Sequence, residues 1–119
     1  MNELKNIFEG VSEILNDEFF EDLVVTKNFK LERIVSYGHS SPENFWYEQE
    51  KNEFVILLSG SAELSYENGQ KFSLQPGDYL TIPAHQKHRV EKTDLIKKTF
   101  WLAGQKLPIA TKLVRRETL

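Results

Sequence analysis

Residues 76–88, PGDYLTIPAHQKH, combine a turn, a short apolar strand, a second proline and a histidine. Proline presets φ at the first central position of a turn and glycine tolerates positive φ at the second, so Pro76-Gly77 predicts a type II turn. The residues that follow, 78–82, predict a strand that Pro83 ends. The stretch therefore predicts that the chain delivers His88 just beyond a short buried strand.

A second stretch puts one carboxylate at the head of an apolar strand. Glu53 precedes the run FVILL, which ends at Ser59-Gly60. Side chains alternate between the two faces of a strand, so Glu53 shares a face with Val55 and Leu57. A carboxylate in that position needs an explanation, and His88 is the natural partner to consider.

The spacing of these residues resembles the two signature motifs of the cupin superfamily. Six residues separate Glu53 from Gly60, five separate Gly77 from Pro83, and four separate Pro83 from His88. The resemblance covers roughly residues 34–101, and its second motif is the more specific. It looks like that of small, stand-alone bacterial cupins, and it implies an all-β fold, an antiparallel jelly-roll or double-stranded β-helix barrel.

The resemblance also implies a set of site residues. In metal-binding cupins the first motif supplies two histidines and the glutamate, and the second supplies one histidine. The two histidine positions of the first motif fall here on Tyr47 and Gln49. The implied metal ligands are therefore Glu53, His88 and Gln49, for Zn, Fe, Mn or Ni. The implied ligand pocket consists of Trp46, Tyr47, Gln49, Glu53 and His88.

Three interpretations of the Glu53–His88 pair stay open: a divalent metal site, a metal-free polar pocket and a pair without function. The first predicted function is binding of a small-molecule ligand at the barrel mouth, with or without such a metal. One alternative is a metal-dependent isomerase, dioxygenase or decarboxylase acting on a small sugar, phenol or keto acid. The other is a structural dimer with a vestigial pocket. No nucleophile–base arrangement and no glycine-rich phosphate loop is present, so neither a catalytic residue nor a nucleotide cofactor is predicted.

Composition excludes several classes of partner. The 119 residues predict one domain, and a net charge of −3 provides no general attraction for nucleic acid. No apolar run reaches membrane-spanning length and the first residues lack a signal-peptide profile, so we expect a cytoplasmic protein. The chain has no cysteine.

Turn residues at short intervals separate segments rich in β-branched and aromatic residues, which is typical of a barrel or sandwich. The predicted strands are 22–27, 30–37, 53–59, 61–67, 70–74, 78–82, 87–92 and 97–103, with a type I′ hairpin turn at Asn68-Gly69. The predicted core residues are Val55, Leu57, Leu64, Tyr66, Leu80, Ile82, Val90 and Trp101.

The predicted organisation has three parts. Residues 1–29 form an N-terminal segment, helical or turn-like, that packs on the barrel; residues 30–103 form the barrel, and residues 104–119 form a tail. Phe54, Ile56 and Leu58 form an apolar outer row on their strand, so we expect a homodimer that uses this row and N-terminal residues. Coverage by residues 1–25 of the same chain is the alternative.

Overall fold

The computed structural model describes residues 3–108 and 111–115, and in that part of the chain it contains ten β-strands and no α-helix. In chain order they are β1 Phe19–Val25, β2 Phe29–Ser36, β3 Phe45–Gln49, β4 Glu53–Ser59, β5 Ala62–Tyr66, β6 Lys71–Leu74, β7 Tyr79–Ile82, β8 His88–Thr93, β9 Thr99–Lys106 and β10 Thr111–Arg115. One sheet has the order β1-β2-β9-β4-β7 and the other β10-β3-β8-β5-β6, with antiparallel pairing throughout. The predicted all-β antiparallel fold is confirmed.

The core lies between the two sheets. Leu57 is completely buried and Trp101 is 4% exposed on the first sheet, where they are register partners. Leu64 and Tyr66 bring the second sheet into the same cluster. Strand alternation explains this arrangement, because each of these residues lies on the inward face of its strand. All eight predicted core residues belong to this cluster or pack directly against it, which confirms that prediction.

Two strands lie outside the predicted set. Residues 45–49, which none of the predicted strands includes, form β3. This strand pairs with β10 over its whole length and with β8 only at Tyr47 and His88. Strand β10 lies in the predicted tail, of which residues 109, 110 and 116–119 are outside the described residues. Each strand depends on the other for most of its backbone pairing, and such a non-local partner has no local sequence signal.

The two predicted turns differ in outcome. Gly77 has φ +94°, and Asp78 N donates to Gln75 O, as a type II turn at Pro76-Gly77 requires. The hairpin between β5 and β6 is present, but its turn is not type I′. Gly69 has positive φ whereas Asn68 does not, and the closing bond joins Tyr66 N to Gln70 O. This is a three-residue loop in which glycine occupies the left-handed position, a common alternative.

Of the predicted N-terminal segment, residues 19–25 form β1 and belong to the first sheet itself, whereas residues 3–18 pack on the outer face of that sheet without forming a helix. Arg33 Nη1 donates to the carbonyls of Ile7 (3.0 Å) and Glu9 (2.6 Å). The Phe8 ring contacts the Phe100 ring edge-on at 5.3 Å. Gly10 then takes a left-handed φ of +73°, which ends any helical continuation. The helical alternative is therefore wrong and the turn-like one is correct. No helix in the described residues is long and apolar enough to cross a membrane.

Candidate functional site

A cavity of about 310 Å³ opens between the sheets at one end of the molecule. Four of the five predicted pocket residues line it: Tyr47, Gln49, Glu53 and His88. Trp46 does not line it, because it is the neighbour of inward-facing Tyr47 in β3 and alternation turns it to the opposite face. The remaining lining residues are Glu18, Phe20, Lys30, Glu32, Ile34, Ser40, Ser41, Val90 and Gln105.

The two sheets contribute one row of polar side chains each. Lys30, Gln105 and Glu53 are register neighbours across β2, β9 and β4. Tyr47 and His88 are register partners across β3 and β8. Glu53 and His88 therefore face each other across the interior. They come from different sheets, since β4 belongs to the first and β8 to the second.

The Glu53 carboxyl lies beside the amide side chains of Gln105 and Gln49. Gln105 Nε2 donates to Glu53 Oε2 at 2.5 Å and also to Gln49 Oε1 at 2.7 Å. Burial raises the pKa of the Glu53 carboxyl to about 7, although hydrogen bonds from Gln105 and Gln49 oppose that shift. The carboxyl thus changes its charge near neutral pH, a property found more often at functional sites than elsewhere.

The orientation of the His88 ring is set by the main chain. Nδ1 lies 2.8 Å from the carbonyl oxygen of Gln86, which can only accept, so Nδ1 carries the proton. In the neutral ring Nε2 is then a lone-pair acceptor, and it lies 3.9 Å from Glu53 Oε1, too far for a hydrogen bond. Burial lowers the pKa of His88, which favours this neutral form.

The first sheet adds charged side chains that sequence reasoning missed. Lys30 Nζ lies 3.6 Å from Glu32 Oε2 and 3.9 Å from Asp22 Oδ1. Burial raises the pKa of Glu32. Glu18 accepts a hydrogen bond from the Ser36 hydroxyl. Period-two alternation in β2 places Lys30 and Glu32 on one face, but only the pairing with β9 shows that this face meets Glu53.

Gln105, also missed, could have been identified from the sequence more easily than Lys30 and Glu32. It follows Trp101 and Ala103 at period two, so it lies on the core face of an otherwise apolar strand. A buried amide in such a place is expected to have hydrogen-bond partners. The predicted strand ended at residue 103, and Gln105 was missed for that reason.

The loop that contributes Ser40 and Ser41 to the cavity is tied to β8. Arg89 Nη1 donates to the carbonyls of Pro42 and Phe45, both at 3.0 Å. Ser41 N donates to Val90 O at 2.9 Å, and Val90 N donates to Ser41 Oγ at 2.9 Å. The cavity rim is thus fixed by a buried guanidinium on the outer side of β8.

His85 is exposed and does not line the cavity, and neither does His39.

A larger cavity, about 520 Å³, lies outside the first sheet between the N-terminal segment and β1 and β2. Its buried cation, Arg33, already bonds that segment and pairs with Glu21 at 2.8 Å. We place the candidate site in the smaller interior cavity because Glu32, Tyr47, Glu53 and His88, whose pKa values are shifted, all line it.

The residues present fit the family's metal centre only in part. Among the described residues, no group of three His, Cys, Asp or Glu side chains is arranged to hold an ion. Glu53 Oε1 and His88 Nε2 retain two ligand positions, and Gln49 Oε1, the third implied ligand, accepts a hydrogen bond from Gln105. One carboxylate, one imidazole and one amide form a weaker donor set than the three histidines and glutamate of the family pattern.

Comparison with known proteins identifies the family. The family model described as a Cupin domain matches residues 33–95. A candidate mannose-6-phosphate isomerase from Ralstonia eutropha JMP134 is 40% identical, with a TM-score of 0.83 over 88% of this chain and 98% of that chain. No protein with a curated function matches the sequence.

Two more distant structures share the fold alone. A cupin superfamily protein from Desulfitobacterium hafniense DCB-2 is 19% identical, with a TM-score of 0.67 over 82% of this chain and 84% of that chain. The polyketide cyclase RemF from Streptomyces resistomycificus is 17% identical, with a TM-score of 0.75 over 100% of this chain and 88% of that chain. The family match, the 40% identical structure and the two facing antiparallel sheets show that this chain belongs to the cupin family.

Proposed function

We propose that the protein binds a small polar molecule in the interior cavity, in contact with Tyr47, Gln49, Glu53 and His88. The observation that carries the proposal is that Glu53 Oε1 and His88 Nε2 face each other at 3.9 Å inside a cavity of about 310 Å³. Polar groups that converge in a cavity beside an apolar core are typical of a small-molecule site. The volume is at the small end for such sites, which suits a molecule no larger than a monosaccharide.

A metal-dependent or metal-free enzyme is the second candidate. The pKa of Glu53, about 7, suits a general acid or base at neutral pH, and isomerisation of a sugar requires such a group. The 40% identical relative is a candidate mannose-6-phosphate isomerase, which favours an isomerase among the enzyme classes. If a divalent ion binds, Glu53, His88 and Gln49 would hold it, and it would supply Lewis-acid polarisation of a ligand oxygen.

Binding can be tested with a matched pair of glutamine variants. Ligand-observed NMR against a set of polar molecules up to hexose size should give hits for the wild-type protein. Gln49→Leu should weaken those hits by about fivefold, because one hydrogen bond contributes on the order of 1 kcal/mol. Gln75→Leu, in an exposed turn, should leave them unchanged.

The same preparations decide between the candidates. Native mass spectrometry and elemental analysis of freshly purified protein report a retained organic ligand or a stoichiometric metal ion. An organic ligand without metal supports the binding protein, and full metal occupancy supports the enzyme. Hits that bind Gln49→Leu as well as wild type, or no hit at all, would contradict the proposed site.

We also propose that the protein is a homodimer through the outer row of β4, with N-terminal residues at its edge. Phe54 is 40% exposed and packs against Tyr79, which is 68% exposed, with the rings 5.6 Å apart. The N-terminal segment covers Phe100 but leaves these two rings open to solvent. A two-fold axis through this face would bury the same apolar patch on both subunits.

Light scattering tests the assembly. We expect the wild-type protein at micromolar concentration to have twice the mass of the chain. Phe54→Asp should give a monomer, because each two-fold contact would bury an unpaired carboxylate on both sides. Leu95→Asp, at a residue 76% exposed between β8 and β9, should remain dimeric. A wild-type monomer would support coverage of the face by the chain itself.

A further inference from the structure

The cavity has an excess of negative charge. Three acidic side chains, Glu18, Glu32 and Glu53, line it, and among the described lining residues Lys30 is the only lysine or arginine. The ammonium of Lys30 already lies within 4 Å of the carboxylates of Glu32 and Asp22. Charges in a confined cavity interact more strongly than in bulk water, so this lining attracts cations and repels anions.

The centre of the cavity also contains two atoms with lone pairs that face each other without a hydrogen bond between them. His88 is 6% exposed, its Nδ1 proton is used by Gln86 O, and its Nε2 makes no hydrogen bond in the described part of the chain. The atom facing Nε2 is Glu53 Oε1, at 3.9 Å, which is an acceptor when ionised. Two acceptor lone pairs that face each other are satisfied when a donor lies between them. A nitrogen about 2.9 Å from each atom would lie about 2.1 Å to one side of the line that joins them and could donate one hydrogen bond to each.

The two buried arginines, which could bind an anion, lie outside the cavity. Arg33 and Arg89 are buried on the outer sides of the two sheets, where their guanidinium groups bond main-chain carbonyls. Neither lines the cavity. A phosphate or carboxylate in the cavity would thus have Lys30 as its only described cationic contact, at the expense of existing ion pairs.

From this charge and this pair of facing acceptors we infer that the natural ligand is a small organic cation with N–H donors, such as a primary ammonium. The inference rests on the proposed function, because it names the ligand class of the same cavity. The ammonium nitrogen lies between Glu53 Oε1 and His88 Nε2. The Tyr47 ring, 6.3 Å from the His88 ring centroid, adds an aromatic surface beside it, which also favours a cation.

Two series of matched probes test the ligand class on the full-length protein after treatment with EDTA. One series is ethanolamine, ethylene glycol and glycolate; the other is D-glucosamine, D-mannose and D-mannose 6-phosphate. Affinities are measured by NMR titration near pH 7 at low and equal ionic strength. In at least one series we expect the cation to bind about tenfold or more tightly than the neutral member, and the anion to bind most weakly.

Variants check that the preference arises in the cavity. Glu32→Gln removes one lining charge with little change of shape and should reduce the preference for the cation severalfold. Glu50→Gln, at an exposed position before β4, should not change it. If Glu32→Gln leaves the preference unchanged, the cation binds elsewhere and the inference is wrong.

The remaining outcomes separate the two proposals. Preferential binding of a neutral or anionic probe would overturn the cationic ligand while leaving the proposed function intact. Zn²⁺ that binds tightly and excludes both cations would assign the facing acceptors to a metal, again against the inference. Failure of every probe, together with failure of the wider polar set, would overturn both.

Discussion

Glu53→Gln is expected to stabilise the protein by about 3 kcal/mol at pH 8 relative to wild type and to lose this advantage by about pH 4.5. The folded protein raises the pKa of Glu53 from 4.5 to about 7, so the folded state binds this proton more tightly than the unfolded chain. Its contribution to stability is therefore fully present below pH 4.5 and is lost as pH rises through 7. Glutamine imitates the protonated carboxyl at every pH, so the variant avoids that loss.

Urea unfolding between pH 4.5 and 8.5 measures the difference. His88 opposes the wild-type trend, because its lowered pKa reduces stability as pH falls below 6.5, but it is present in both proteins. Glu50→Gln is the control, since its carboxylate is exposed and its removal should give no comparable pH dependence. A difference between Glu53→Gln and wild type that stays constant with pH, or that grows as pH falls, would show that Glu53 is not a buried acid. If Glu53→Gln is more stable than wild type but binds its ligand poorly, the wild-type carboxyl lowers stability and is needed for function.

Gly60→Ala is expected to destabilise the protein by several kcal/mol, and more than Gly69→Ala does. Both glycines have positive φ, +87° and +94°, so alanine at either costs about 1 kcal/mol in backbone strain. Only at Gly60 would the new Cβ also overlap its surroundings, at 2.7 Å from Thr99 Cα and 2.9 Å from Lys98 O. Overlap with backbone cannot be relieved by a rotamer change and adds about 1–3 kcal/mol or more.

Thermal and urea unfolding of the two alanine variants separate these contributions. A Cβ added at Gly69 would have no described atom within 4 Å, so that variant reports backbone strain alone. Equal losses of stability at the two sites would mean that β9 moves to accommodate the methyl group. A larger loss at Gly60 explains the glycine of the first motif as the residue that lets the turn after β4 approach Thr99.

Local patterns predicted the features that depend on neighbouring residues in the chain. Alternation in β4 identified Val55 and Leu57 as core, and motif spacing brought Glu53 and His88 to one cavity. The strand β3 was missed because its backbone partner lies more than sixty residues further along the chain. Trp46 was wrongly included among the pocket residues for the same reason, since a residue outside the predicted strands has no predicted face.

The charged residues that line the cavity could not be predicted from the sequence for the same reason. Lys30 and Glu32 alternate correctly in β2, but their position beside Gln105 and Glu53 is fixed by register across three strands. Register between distant strands follows from the packing of the whole core and from no single segment. The position of the cavity could therefore be predicted from the sequence, whereas the charge of its lining could not.

The hydrogen bond between His88 Nδ1 and the carbonyl oxygen of Gln86 has a consequence for how the site can vary. That carbonyl belongs to the turn after Pro83, in which Gln86 N donates to Pro83 O at 3.1 Å. The tautomer of the His88 ring is thus encoded by the main chain, independently of which side chain stands at position 86. Changes of the side chain at position 86 should therefore leave the inner wall offering the same acceptor nitrogen.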